Sequence, residues 1–224
     1  MIYFIFIAIA LFSFIAQHSL KSKFERFSRV PLTSGMTGSE VAQKMLRDHT
    51  IPDVRVTSTR GTLTDFFNPL NKTVNLSEGV YATNSVAAAA VAAHECGHAV
   101  QHAYGYAPLK LRTRLVPIVN FASQWVSWIL LAGIVMIQFF PIIFEIGVLF
   151  FACTTVFSFI TLPVEIDASR RAIQWLETAG ITQGETTSMA RSALRSAAYT
   201  YVVAALGSLA TLVYYVLLLL GRRD

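Results

Sequence analysis

Cysteine is almost missing from this chain. It occurs twice in 224 residues, as Cys96 and as Cys153 within an apolar run, which excludes a disulfide framework and leaves the redox compartment open. Charge is scarce as well: Asp, Glu, Lys and Arg make up 14% of the residues against 54% hydrophobic, with a mean hydropathy of +0.53. That balance is too apolar for an ordinary soluble domain and points to a membrane protein. No block of basic residues interleaved with aromatics is present, so the net charge of +5 is not a nucleic-acid signal. Internal repeats are absent, and low-complexity sequence is confined to the alanine-rich run at 86–93. Positive charge is lacking ahead of the first apolar segment, residues 2–16, because the first lysine is Lys21. A secretory signal carries its charge before the apolar core, so this segment reads as a retained anchor.

What the chain does have is His94-Glu95-Cys96-Gly97-His98, set in alanine and valine with no proline. The run reads as helical, and four residues of helix bring His94 and His98 to one face. Two imidazoles so spaced suit one zinc ion, each binding at about 2.0–2.1 Å. Glu95 is turned about 100° from His94 and about 60° from His98. It sits beside the metal rather than on it, placed as general base to a water activated there. Cys96 lies about 200° round from His94 and is not a ligand.

A catalytic zinc takes three protein ligands and leaves a position open. The third is expected at Glu165, in the stretch Thr161-Leu-Pro-Val-Glu-Ile-Asp-Ala-Ser-Arg-Arg-Ala172. Two apolar spans separate it from the motif and return it to the same side of the membrane, where it is read as opening a helix. The competing reading makes Glu165 a surface carboxylate paired with Arg170 or Arg171. His102 is a rival ligand but lies about 12 Å of helix rise beyond His94; Asp167 is a weaker one.

In chain order, residues 1–20 form a transmembrane anchor and 21–114 a cytoplasmic metallopeptidase region carrying the motif helix. Residues 115–162 form a transmembrane hairpin broken at Pro141, 163–198 a cytoplasmic helix with the third ligand, and 199–224 a transmembrane helix and tail. Lys21, Lys23, Arg26, Arg29, Lys110, Arg112 and Arg114 flank the spans on one side, which the positive-inside rule makes cytoplasmic. Only Arg222 and Arg223, of 18 Lys and Arg, fall outside. Within 21–114 an amphipathic helix is expected at 38–48, capped by Ser39. Two or three short strands are expected among 54–58, 62–66 and 73–76, and Asn84 or Ser85 is expected to cap the motif helix. Asn120 and Gln124 are expected to make hydrogen bonds between spans. The fold class is thus a mainly α membrane protein with four transmembrane helices and a small α+β, zincin-like cytoplasmic metallopeptidase region.

Four stretches carry a family resemblance: Leu76-Ser-Glu-Gly-Val-Tyr81, Val91 through His94, His98 and Gln101 to His102, Gly105-Tyr-Ala-Pro-Leu-Lys-Leu-Arg112, and residues 161–172. With them the chain resembles the YugP-type neutral zinc metallopeptidases of bacterial membranes over nearly its whole length. The resemblance implies a zinc-dependent peptidase with His94, His98 and Glu165 as ligands and Glu95 as base. More distantly, Glu165-x-x-Ala168-Ser169 is similar to the Glu-x-x-Ala-Asp element of the HtpX group, whose aspartate is expected to orient a zinc-binding histidine. Here that position is Ser169. Asp65-Phe-Phe-Asn-Pro69 also departs from the expected Asp-His-Tyr-Asp-Pro, so no role for a histidine in that loop carries over.

The leading expectation is therefore a membrane-anchored zinc endopeptidase of the bacterial inner membrane. Its site faces the cytoplasm, acts on a peptide or protein substrate that can itself be a membrane protein, and has the lipid bilayer but no nucleic acid as partner. The alternatives are an intramembrane zinc protease, against which the motif helix is alanine-rich rather than leucine-rich, and a zinc-stabilised scaffold, which would have no need of Glu95.

Overall fold

The computed structural model describes the backbone of residues 2–221; Arg222 and Arg223 lie outside the described residues. Helix α1 (Ile2–Phe27) runs from the apolar segment through Lys21, Lys23 and Arg26 without a break. Arg26, in its last turn, suits the negative end of the helix dipole. Helix α2 (Gly38–Asp48) buries Val41, Ala42, Met45 and Leu46. Its N-cap is Thr37 and not Ser39. The Thr37 side chain accepts from the Glu40 N–H while Glu40 Oε2 accepts from the Thr37 N–H at 2.7 Å, a reciprocal pair that Ser39 could not make.

Three strands follow, β1 (Arg55–Thr59), β2 (Phe66–Asn68) and β3 (Thr73–Ser77), in the order β1-β3-β2. β1 runs parallel to β3 and β2 antiparallel to it, with Phe66 opposite Asn75. The edge strand β2 falls later in the chain than the alternation predicts. Asp65 is held back by accepting from both the N–H (2.7 Å) and the hydroxyl of Ser77, so pairing begins only at Phe66. A single turn, α3 (Glu78–Tyr81), leads to the motif helix α4 (Val86–Ala103). Ser85 caps α4 by accepting from the Ala88 N–H at 3.1 Å; Asn84 accepts instead from the Leu32 N–H at 2.9 Å. Alanine on most faces of α4 lets α2, the sheet and two later helices close in around it, and Ala87, Ala89, Ala92 and Ala93 are fully buried.

The remaining chain is three long helices: α5 (Ala107–Val135), α6 (Pro141–Thr178) and α7 (Glu185–Leu220). α5 and α6 form a hairpin in which Val126, Leu130, Phe144 and Val148 make a separate apolar core. A Cβ on Gly133 would lie 2.6 Å from Phe144 Cα, so only glycine allows the two backbones this approach. α7 packs between α6 and α1, where Phe6 meets Tyr214 edge to face at 5.6 Å. Four helices, α1, α5, α6 and α7, are long and apolar enough to cross a membrane. With the small sheet beside them, the architecture is mainly α with four membrane-length helices.

Two expectations change here. Glu165 does not open a helix of its own: it lies deep within α6, which continues unbroken from the apolar segment to Thr178. Asn120 and Gln124 do not bridge helices; both are exposed on α5, because α5 turns Ala122, Val126, Leu130 and Gly133 toward its neighbours.

Candidate metal centre

Helix geometry brings the two histidine rings of α4 together at 4.8 Å between centroids. Glu165 reaches them from α6. Its Oε2 is 3.3 Å from His94 Nε2 and 3.6 Å from His98 Nε2, and one ligand atom from each of the three residues lies within 4.8 Å of the others. Donors at about 2.0–2.1 Å from a tetrahedral ion stand about 3.3 Å apart, so two imidazoles and one carboxylate at these separations fit zinc with a position to spare. What brings α6 so near is Gly97. A Cβ there would sit 2.7 Å from the Ala168 carbonyl oxygen, one turn of α6 past Glu165, and any larger residue would push the carboxylate away from the imidazoles.

Each histidine is held from behind. Gln101, fully buried, gives its Nε2 to the Val164 carbonyl at 2.8 Å and to Asp167 Oδ2 at 3.0 Å. Both partners only accept, so the amide orientation is fixed and its Oε1 faces His98 Nδ1 at 3.1 Å. His98 Nδ1 must then carry the proton, which leaves Nε2 with its lone pair toward Glu165. Asp167 is in turn bound by Arg170 and Arg171, whose guanidinium groups also hold its carboxyl below the ordinary range against the opposing effect of burial. The Ser169 hydroxyl lies 3.1 Å from His94 Nδ1. Ser169 thus reaches the histidine through a short, uncharged group.

Glu95 lies beside the triad, 8% exposed, with Oε2 accepting from the Phe67 N–H of β2 at 3.0 Å. Burial pushes its carboxyl up to about 7; nearby Glu165 and Asp65 add to the rise and His94 opposes it. Burial raises the Cys96 thiol too, which keeps it protonated, and its Sγ turns away to Ala42 O at 3.5 Å. His102 is exposed and lies against Phe67 with the rings tilted, outside the cluster, and Asp167 serves Gln101 and two arginines rather than the ligand set. The arginine beside Glu165 is neither Arg170 nor Arg171 but Arg112 of α5, whose Nη1 is 3.2 Å from Oε1. Glu165 therefore divides its oxygens, Oε1 to the guanidinium and Oε2 to the imidazoles.

Residues 2–220 match the family described as "putative neutral zinc metallopeptidase". The chain belongs to that family. It is 42% identical to the "putative membrane protease YugP" of Bacillus subtilis (strain 168) over 223 residues, which cover 99% of this chain and 98% of that protein. No solved structure matches.

In this family member a cavity of about 480 Å³ opens onto Glu95, His98 and Glu165. Phe66, Phe67 and Leu70 wall it on the sheet side, Leu109, Arg112, Thr113, Val116 and Pro117 on the α5 side, and Tyr201 of α7 closes it. Sequence reasoning missed Gln101, Arg112 and Tyr201 as site residues. Gln101 carried a signal, since three residues after His98 places it over the same helical face. Arg112 read as a flanking charge of a span and Tyr201 as part of one, and nothing local distinguishes either.

Proposed function

We propose that this protein is a membrane-bound zinc-dependent endopeptidase, with His94, His98 and Glu165 holding the metal and Glu95 as general base. The observation that carries this is the convergence of Glu165 on the histidine pair from a different long helix, with a buried glutamate poised beside them over an open cavity. Zinc bound there would supply a Lewis acid that polarises the scissile carbonyl and makes water acidic enough to ionise near neutral pH.

The chain's own residues do the rest. The Phe67 N–H fixes one oxygen of Glu95, and the carboxylate takes the proton of the attacking water and returns it to the leaving amine. Gln101 and Ser169 set the two imidazoles, and Arg112 holds the oxygen of Glu165 that does not face them. Tyr201, Arg112 and Thr113 carry hydrogen-bond donors on the α-helical side of the cavity, opposite the apolar wall of Phe66 and Phe67.

We place the protein in the bacterial inner membrane, crossing it with α1, α5, α6 and α7, and the site on the cytoplasmic side where the basic residues gather. The division of the chain is 1–20, 21–114, 115–162, 163–198 and 199–224, and the substrate is a peptide or protein, membrane proteins included. Helix α4 is not among the four membrane-length helices, which gives no support to an intramembrane motif. The test is cleavage of casein peptides by the purified protein, expected to stop with a chelator and to return with zinc. Cysteines at the exposed positions Arg60 and Gln183 should both resist impermeant thiol reagents in intact cells. A zinc-loaded protein that cleaves nothing in a broad peptide library would favour the scaffold, and labelling at either cysteine would reverse the orientation.

A further inference from the structure

Helix α5 does two things with one face. At its start, Leu109, Thr113, Val116 and Pro117 line the cavity. At 100° per residue, that face continues along the helix through Asn120, Ser123, Gln124 and Ser127, and residues 113 to 127 of the set fall within a sector of about 120°. All four of these polar residues are exposed. Ser123 returns its hydroxyl to the Asn120 carbonyl at 3.0 Å, whereas among the described residues the side-chain amides of Asn120 and Gln124 have no hydrogen-bond partner. The opposite side of α5 packs on α6 through Ala122, Val126, Leu130 and Gly133.

In a four-span protein this is an expensive arrangement. Gln124 lies 12 residues, about 18 Å of rise, beyond Arg112 and so well inside the hydrocarbon layer, where a carboxamide facing lipid lacks the water that would satisfy it. Polar residues at such depth face other helices. The partner must lie along α5, and among the described residues that face leads, at its cytoplasmic end, to the cavity that opens onto Glu95, His98 and Glu165.

We propose that the Asn120–Ser127 face of α5 is a docking surface for the membrane-spanning helix of a substrate, which feeds its cytoplasmic flank into the cavity. This rests on the peptidase reading of the site and names its substrate class: membrane proteins with an amide or hydroxyl side chain in the cytoplasmic half of a span. Carboxamides both donate and accept, so Asn120 and Gln124 would pair with Asn, Gln, Ser or Thr of the incoming helix, and an all-leucine span would leave them unpaired.

The experiment uses the full-length Glu95→Gln protein in phosphatidylethanolamine/phosphatidylglycerol vesicles, so that binding is read without cleavage. Two labelled single-span reporters share a casein-derived cytoplasmic flank. One has a Leu/Ala helix with a single Gln in its cytoplasmic half and the other lacks the Gln. Energy transfer should show the Gln span bound about three- to tenfold more tightly, the range of one or two interhelical hydrogen bonds, and the double variant N120L/Q124L should abolish the preference. Equal binding of the two spans, or a preference that survives the double variant, overturns the proposal. So does energy transfer between two copies of the protein that displaces the reporter, since the face would then be a dimer contact. Cleavage of soluble casein peptide by the wild type reports separately on the peptidase reading.

Discussion

Replacing Glu95 by Gln separates chemistry from architecture. The glutamate is 8% exposed and accepts one backbone hydrogen bond, from Phe67 at 3.0 Å, which the amide oxygen of glutamine can accept equally. The proposed ligands His94, His98 and Glu165 are untouched, so zinc content should stay at the wild-type level. Hydrolysis of a casein peptide should fall by about two to four orders of magnitude, the contribution of a positioned acid or base. The same substitution should change the pH dependence of stability in the metal-free protein. Burial raises the carboxyl from an ordinary 4.5 to about 7, so the folded chain holds a proton that the unfolded chain has lost between those values. Stability is therefore lost as pH rises through that window, by on the order of 3 kcal/mol once both are passed. Metal-free Glu95→Gln carries no such penalty and should be the more stable protein at pH 8, with the advantage shrinking toward pH 4.5. Denaturant unfolding in detergent across that range measures it. Wild-type turnover by the variant would remove Glu95 from the mechanism, and parallel pH profiles would refute the assignment of the buried charge.

Glu165→Ala should weaken zinc severely in a chelator competition while His102→Ala keeps full stoichiometry; the reverse pattern would move the third ligand to α4. Gly97→Ala places a Cβ 2.7 Å from the Ala168 carbonyl, and forcing α4 from α6 should cost about 1–3 kcal/mol of unfolding free energy and lower zinc affinity. An unchanged affinity would show that the helix approach does not set the site. Gln101→Glu removes both donors to Val164 and Asp167 and sets a carboxylate against Asp167, so zinc affinity should drop about 10- to 100-fold. Retained affinity would mean that His98 needs no such strut.

The histidine pair and its glutamate could be read from the sequence because they are local. Three positions on one helical turn fix which side chains share a face, and alanine and valine around them settle that the turn is helical. The four apolar helices were legible for a similar reason, since length and hydropathy act residue by residue. Counting spans led to Glu165, and the structure brings its carboxylate beside the two imidazoles.

Where the signal was not local, only the tertiary structure decided. The arginine that meets Glu165 is Arg112 and not Arg170 or Arg171, because residues three and four along α6 from Asp167 reach its carboxylate first, while α5 crosses in front of Glu165. Strand β2 starts at Phe66 because Asp65 is captured by Ser77 from twelve residues away. Gly97 reads in the sequence as one spacer of the motif; its necessity comes from the Ala168 carbonyl on another helix. Asn120 and Gln124 show the same limit from the other side. Periodicity puts them on one face of α5, but whether that face meets α6 or the bilayer depends on how the helices pack, and packing turned it outward.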